Sequence, residues 1–412
     1  MMLVPMTTDR RTNERLLLEV TQVPTAAGRE GRVGLFVEAW VRERAGMSLT
    51  RDGCGNLFIT SDAIARASLR AGGGHGATGS RPVFFTAHLD HPAMVVERVL
   101  APGALELSLR GGVMQDYLKN ADIEVVDRND VRHSARLGGE PSGEADGFKL
   151  HVCELERSTD SIMPGDVAVW ALPTAEIENG IIRTNACDDL AALASALCAF
   201  DALHALAAAG EAVKEVRLLF TRAEEVGFVG AIGACREGSI PRDARLIALE
   251  NSRATEESMI GAGPIVRVGD RISVFSPSLT SACSKVAEDV FKRSAYARAS
   301  EKQAELSGKP WQRMLMPGGA CESTVFCAYG YEATCLCLPL GNYHNMGDLA
   351  AVQAGTNTSP PRLAREYVSV EDFHGLTDLL IACGTSLPDA PPITHRLGGL
   401  WEKYRSVVGG SA

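Results

Sequence analysis

The sequence predicts an α/β fold: a mostly parallel central sheet flanked by helices, with a small β-barrel inserted into it. Short apolar runs alternate with helical stretches over most of the chain, which is typical of a parallel sheet covered on both faces. Between residues 98 and 178 this alternation stops, and short strand-like pieces separated by Gly, Pro and Asp replace it. The 412 residues leave room for two or three domains. We therefore expect one domain in residues 1–97 and 179–412 and a barrel domain in residues 98–178.

The individual elements follow from the spacing of apolar residues. Spacings of three and four residues predict helices at residues 14–20, 32–45, 190–206, 279–293 and 370–383. Continuous apolar runs predict strands of the central sheet at residues 83–87, 216–221, 246–249 and 333–338. A turn at residues 51–56 leads into a further predicted strand at residues 57–60. In the inserted block, alternating pieces predict strands at residues 105–109, 122–126, 150–153 and 167–170, and no helix.

The composition argues against several classes of protein. A formal net charge of −10 argues against a surface dedicated to nucleic acid or to an anionic membrane. The eleven cysteines include no Cys-x-x-Cys pair, so we expect reduced thiols in a cytoplasmic protein. Asp9 and Arg10 end the apolar opening too early for a secretion signal. The Ala-rich stretch at residues 190–209 contains Asp201 and His204, which favours a buried helix over a membrane span.

Other patterns are interpreted as structural. The Gly-rich run at residues 71–80 lacks the Lys-Ser/Thr of a phosphate-binding loop and is expected to be a surface loop. The thiols of Cys335 and Cys337 share one face of an apolar strand and are expected in the core. Residues 409–412 are expected to fray.

Acidic and histidine side chains cluster at the ends of predicted strands and at the start of a helix. Because the ligand crevice of an open α/β sheet lies beyond the carboxyl ends of its strands, we expect these side chains to converge. Histidine mixed with carboxylates favours Zn, Co or Mn over Ca. The sequence therefore predicts a metal site from these elements: His88 and Asp90, Asp188 and Asp189, Glu224 and Glu225, Glu250, and His344.

Taken one at a time, these elements have simpler interpretations. His88 alone fits an exposed loop residue. Asp188 and Asp189 fit an N-cap and a favourable charge on the helix dipole. Glu224 and Glu225 fit a solvated pair. Their joint occurrence in one order is what favours a metal site.

This order resembles the ligand pattern of the co-catalytic two-metal aminopeptidases, and most closely the glutamyl and tetrahedral aminopeptidase branch. The barrel lies between the first two ligand elements, as in that branch, and the resemblance covers about residues 14–387. The most specific motifs are Thr86-Ala-His-Leu-Asp90, Pro164-Gly-Asp166, Ala186-Cys-Asp-Asp189, Thr221-Arg-Ala-Glu-Glu-Val-Gly227 and Gly341-Asn-Tyr-His344.

The resemblance implies an enzyme that removes N-terminal residues from short peptides with two divalent ions per subunit. Zn is the expected ion, with Co or Mn as alternatives. A homo-oligomer is also implied, with the barrel mediating self-association. The resemblance assigns these roles: His88 and Glu250 bind one ion, Glu225 and His344 bind the other, Asp188 bridges them, Asp90 orients His88, and Glu224 is the general base.

The sequence departs from the family pattern near the expected substrate. His91 replaces the usual acidic residue, and a structural or substrate-facing role is expected for it rather than a ligand role. Gly341-Asn-Tyr and Asn345 flank His344 in place of the usual Arg and Ser. Gly318-Gly-Ala-Cys-Glu322 stands where Gly-Gly-Thr-Asp is expected. These departures bear on substrate specificity.

Three competing functions follow from the same residues. An amide deacylase acting on a small N-acylated metabolite would use the same two-metal chemistry. A metal-independent glycosidase would use the paired carboxylates and would survive chelation, but it leaves His88 and His344 unexplained. A non-catalytic scaffold would bind no metal.

Overall fold

The computed structural model describes residues 9–71, 81–293, 308–389 and 392–408. The strands in these ranges are β1 (Met47–Arg51), β2 (Leu57–Ser61), β3 (Val83–His88), β4 (Ala93–Ala101), β5 (Ala104–Arg110), β6 (Asp122–Val126), β7 (Arg132–Ala145), β8 (Phe148–Leu155), β9 (Val167–Trp170), β10 (Glu176–Glu178), β11 (Ile181–Thr184), β12 (Val216–Thr221), β13 (Arg245–Arg253), β14 (Ile265–Asp270), β15 (Gln312–Met316), β16 (Glu332–Leu340) and β17 (Glu366–Ser369). The helices are α1 (Arg10–Val20), α2 (Gly31–Arg42), α3 (Asp62–Ala71), α4 (Leu190–Ala208), α5 (Val229–Glu237), α6 (Pro277–Phe291), α7 (Glu322–Ala328), α8 (Leu349–Ala354), α9 (Val370–Ser386) and α10 (Pro392–Val408). The surface loop expected at residues 71–80 lies outside the described residues except for Ala71, which ends α3, and the C-terminal residues 409–412 also lie outside them.

The central sheet has eight strands in the order β1-β2-β12-β3-β13-β16-β14-β15. Its four middle strands, β12, β3, β13 and β16, run parallel. Antiparallel pairs join β1, β2 and β14 to this centre. Central parallel strands are buried on both faces, and β3 is buried at all six positions. The predicted fold class, a mostly parallel sheet flanked by helices, is confirmed.

Apolar residues of the sheet pack against helices on both faces. Phe85 and Ala87 of β3 join the large core that contains α4. The intervening Phe84 joins a second core with Ala231 of α5 and Phe326 of α7. Among the described residues, α4 is the one helix long and apolar enough to cross a membrane, and 72% of its apolar window is buried inside the protein. It is therefore a core helix, as the sequence predicts.

A closed barrel follows β3 in the chain. Its strands pair in the order β4-β5-β8-β7-β6-β9, each neighbouring pair is antiparallel, and β9 pairs with β4 to close the ring. Leu107, Val125 and Trp170 belong to its separate apolar core. Between residues 98 and 178, all of which are described, the helical structure is limited to one 3₁₀ turn, Gln115–Tyr117.

Several elements differ from the sequence-based expectation. The strand predicted at residues 246–249 extends over Arg245–Arg253, because β13 pairs with β16 along its whole length, so Glu250 lies within a strand rather than after it. The 14-residue β7 was missed because glycines and Pro141 interrupt its alternation. β4 begins at Ala93, so the expected boundary at residues 97 and 98 falls inside a strand. A small antiparallel sheet, β10-β11-β17, was not predicted.

Candidate metal centre

The predicted site residues converge at one edge of the central sheet. The parallel strands β3, β12, β13 and β16 all point their carboxyl ends to this edge, which is where ligands bind in open α/β sheets. The start of α4 and the 3₁₀ turn Tyr343–Asn345 meet them there. The residues are His88, Asp90, Asp188, Asp189, Glu224, Glu225, Glu250 and His344.

At this edge, His88, Glu224 and Glu225 lie close enough to hold an ion, and so do two further groups of three side chains that share Asp188. One group is His88, Asp188 and Glu250, and the other is Asp188, Glu225 and His344. Within each group the ligand atoms lie within 4.8 Å of one another. His88 Nε2 lies 3.3 Å from Asp188 Oδ1, and His344 Nε2 lies 3.5 Å from Asp188 Oδ2. Asp188 thus presents one carboxylate oxygen to each group.

Four buried atoms in these groups have no hydrogen-bond partner: His88 Nε2, Asp188 Oδ1, Glu225 Oε1 and Glu250 Oε2. Buried polar atoms are almost always satisfied, so four together call for a partner that the chain itself does not provide. Imidazole nitrogen and carboxylate oxygen are ligands of Zn, Co and Mn. The donor set therefore fits divalent cations.

The site carries an excess of acidic groups. Burial raises the pKa of Glu224, Glu225 and Glu250 well above the usual range. Burial also opposes ionisation of Asp188, but the two imidazoles close to its carboxylate outweigh this effect and lower the pKa of Asp188. Within the described part of the chain, no Lys or Arg forms an ion pair with these four carboxylates. Bound cations would neutralise this excess of acid.

Asp90 supports the site differently from the prediction that its carboxylate orients His88. His88 Nδ1 lies 3.1 Å from the backbone oxygen of Asp90 and 3.6 Å from its carboxylate. The carboxylate accepts hydrogen bonds from the backbone N–H groups of Glu224 and Glu225, both at 3.0 Å. The backbone carbonyl therefore orients the imidazole, while the carboxylate fixes the turn that carries the two glutamates.

The barrel contributes directly to the site through His344. Nδ1 of His344 donates to the backbone oxygen of Gly112, just after β5, at 2.7 Å. Because a carbonyl oxygen only accepts, this bond places the ring proton on Nδ1 and leaves Nε2 free to bind a cation. The ring of Tyr343 stacks on the same imidazole at 3.7 Å between centroids. Sequence reasoning missed Gly112 because a backbone carbonyl leaves no signal in residue type.

Two fully buried glutamates stabilise the loops of the site. Neither was predicted from the sequence. Glu366, on β17, accepts hydrogen bonds from three backbone N–H groups in the segments that carry Asp188 and His344. Glu30, just before α2, accepts from Ala223 N at 3.0 Å and from Arg222 Nε at 2.7 Å, in the turn before Glu224. The sequence signal that could have identified both glutamates is an acidic residue within or beside an apolar element.

The simpler interpretations do not fit the geometry. His88 is 1% exposed and Glu224 is 9% exposed, so neither is a solvated loop residue. Asp189 occupies the N-cap position of α4 but its side chain makes no capping bond. Its Oδ2 instead accepts from the backbone N–H of His88 at 3.3 Å.

Two of the departures from the family pattern, His91 and Glu322, are also buried. His91 Nε2 lies 2.9 Å from Asn345 Oδ1, and its Nδ1 contacts the backbone oxygen of Asp188. Burial lowers the pKa of His91 to about 4. Both ring nitrogens thus contact protein groups, which supports a structural role over a ligand role. Glu322 at the start of α7 is 3% exposed, and burial raises its pKa to about 7.

Fold and site together define an α/β protein whose sheet edge is equipped to hold divalent cations. Comparison with protein families matches residues 150–291 to the model of the M42 glutamyl aminopeptidases. The resemblance to the glutamyl and tetrahedral aminopeptidases is therefore confirmed. A search of curated proteins found no match.

Several solved structures share the fold. An aminopeptidase from the archaeon Desulfurococcus kamchatkensis is 20% identical with a TM-score of 0.68, covering 93% of this chain and 96% of its own. The TET1 peptidase of Pyrococcus horikoshii is 19% identical with a TM-score of 0.66, covering 91% and 100%. A structure described as an endoglucanase from Thermotoga maritima is 17% identical with a TM-score of 0.58, covering 89% and 96%. The family match supports a peptide hydrolase, and the solved structures show that the fold is shared.

Proposed function

We propose that the chain is a two-metal aminopeptidase that removes N-terminal residues from short peptides. The observation that supports this most strongly is the sharing of Asp188 by the two groups, because a shared carboxylate suits two neighbouring ions. His88 and Glu250 would complete one ion site, and Glu225 and His344 the other. Zn is the expected ion, with Co or Mn as alternatives. When bound, such ions lower the pKa of water and polarise a carbonyl oxygen.

Glu224 is the proposed general base. Its Oε2 lies 3.8 Å from His88 Nε2, beside both ion sites, and its backbone N–H is tied to Asp90. Burial raises the pKa of Glu224, which strengthens its affinity for a proton. It takes a proton from the attacking water and passes it to the departing amine.

The proposal extends to assembly, domain division and location. The TET1 peptidase of Pyrococcus horikoshii is described as assembling into a tetrahedron or an octahedral shell, and we expect a homo-oligomer here. The barrel would provide contacts between subunits. Because its strand β4 begins at Ala93, we move the expected bounds 98–178 to 93–178, and residues 1–92 and 179–412 would form the catalytic domain. All eleven cysteines are free thiols, which suits the cytoplasm. Light scattering on the purified chain measures the assembly.

Metal quantification followed by a substrate panel tests the proposed reaction. We expect about two divalent ions per chain, and hydrolysis of amino-acid anilides and short peptides that have a free N-terminus. Turnover confined to N-acylated amino acids would instead favour the deacylase. Glycoside hydrolysis that survives exhaustive chelation would overturn the proposal.

A further inference from the structure

Glu366 lies between the two chain segments that carry Asp188 and His344. Its strand, β17, pairs with β11, where Glu366 is opposite Thr184. On its other side Tyr367 bridges Gly341. Cys187 lies three residues after Thr184, and His344 lies three residues after Gly341. The backbone of β17 therefore brings both segments to the side chain of Glu366.

The carboxylate of Glu366 is fully buried and bonded to both segments. Oε2 accepts hydrogen bonds from the backbone N–H groups of Cys187 at 2.7 Å and Asp188 at 3.0 Å. Oε1 accepts from the backbone N–H of His344 at 2.8 Å. One side chain thus ties together the backbones of two candidate ligands that are distant in sequence.

We infer that Glu366 is a positioning residue that sets the separation of Asp188 and His344, and so the geometry of the ion site formed with Glu225. This inference rests on the proposed function. Glu366 does not touch the reacting atoms. Its effect reaches the site through the backbones of the two ligands, in the way that supporting hydrogen bonds tune metal ligands.

A carboxylate is the group that these contacts require. All three partners are N–H donors, and an ionised carboxylate accepts with both oxygens and donates with neither. A glutamine has nearly the same shape but turns an NH₂ group towards one of the donors. Glu366→Gln therefore removes a hydrogen bond to at least one of the two segments while preserving the volume of the side chain.

Titration of Co²⁺ into the metal-free chain, with bound ion counted by mass spectrometry, tests this role. In Glu366→Gln we expect one ion to bind about 10–100-fold more weakly than in the wild type, the cost typical of losing a supporting partner. The other ion, held by His88 and Glu250 as well as Asp188, should lose less affinity.

Asp372 provides the matched control. It is also buried, and its carboxylate accepts from the backbone N–H groups of Gly261 and Gly263. Asp372→Asn should leave both Co²⁺ constants unchanged. The inference is overturned if Glu366→Gln keeps both constants, if it weakens both equally, or if Asp372→Asn has the same effect. A wild-type chain that binds no ion would overturn the proposed function and this inference together.

Hydrogen exchange of the wild-type chain tests the contacts of Glu366 without any substitution. In the metal-free chain, the N–H groups of Cys187, Asp188 and His344 should exchange slowly, because Glu366 accepts from all three. Deuterium uptake followed by mass spectrometry of peptides spanning residues 185–189 and 342–345 measures this. Full exchange at the earliest time point would overturn the inference.

Discussion

Glu224 and Glu225 are neighbours in the chain but face different imidazoles. Glu224 Oε2 lies 3.8 Å from His88 Nε2, and Glu225 Oε1 lies 3.5 Å from His344 Nε2. Asp90 holds the backbone N–H groups of both glutamates. Two identical residue types can therefore take different roles, one as the proposed ligand and one as the proposed base.

Replacing Glu224 with glutamine keeps the size of the side chain and removes its capacity to accept a proton. We expect kcat to fall by about 10²–10⁴-fold, the usual contribution of a general base, with about two ions still bound per chain. Peptide hydrolysis and metal analysis of the same sample measure both quantities. Glu211→Gln, at an exposed position, is the control. Full activity in Glu224→Gln would refute the base assignment.

At the scale of elements, the barrel reaches the site through the chain that follows β5. Gly111 has a φ of +112°, and a Cβ there would lie 2.8 Å from Pro92. Gly111→Ala should therefore displace the next carbonyl, that of Gly112, from His344. We expect about 10–100-fold weaker metal binding in this variant. Gly147→Ala is the control, because it shares a positive φ but meets nothing within 4 Å. Equal metal affinity in both variants would contradict this link.

The carboxylate of Asp127 stabilises the turn after β6. Asp127 accepts from Asn129 N at 2.8 Å and Val131 N at 3.1 Å, and it lies 3.0 Å from His133 Nε2. The bond to His133, together with the others, lowers the pKa of Asp127 below its usual value despite desolvation. A lowered folded-state pKa contributes stability that is complete above the unfolded pKa of about 3.9 and is lost as pH falls below it.

Asp127→Asn should therefore lower the urea midpoint at pH 6, and the difference from the wild type should shrink below about pH 4. Unfolding curves at pH 6, 5, 4 and 3 measure this. Asp146→Asn, in an exposed turn where asparagine tolerates the φ of 52°, should show no such pH dependence. A difference that stays constant down to pH 3 would contradict the argument.

The sequence was informative where side chains carry the signal. The apolar runs that became β3 and β12 placed His88 and Glu224 at the sheet edge, because buried parallel strands have a distinct composition. Gly112 and Glu366 were not predicted. Gly112 contacts His344 through its backbone oxygen, and Glu366 accepts hydrogen bonds from backbone N–H groups that reach it only through the pairing of distant segments. Glu250 was placed after its strand because the pairing of β13 with β16 cannot be read from one strand alone.

At the scale of the whole molecule, chelation should destabilise the fold. Without cations, the charge of the buried acids is offset within the described residues only by the imidazoles of His88 and His344. A ligand present at 100 times its Kd stabilises a protein by about 2.7 kcal/mol. We expect a lower Tm in excess chelator and recovery when Zn²⁺, Co²⁺ or Mn²⁺ is restored. Thermal unfolding followed by fluorescence measures both. An unchanged Tm would count against tightly bound ions.

The position of the barrel between β3 and α4 has a consequence for biosynthesis. His88 leaves the ribosome before the barrel, and every other candidate ligand leaves after it. His344 and Glu366 follow about 250 residues or more after His88. A growing polypeptide therefore cannot complete the site until translation has passed His344 and Glu366, and a shorter nascent chain holds no complete site.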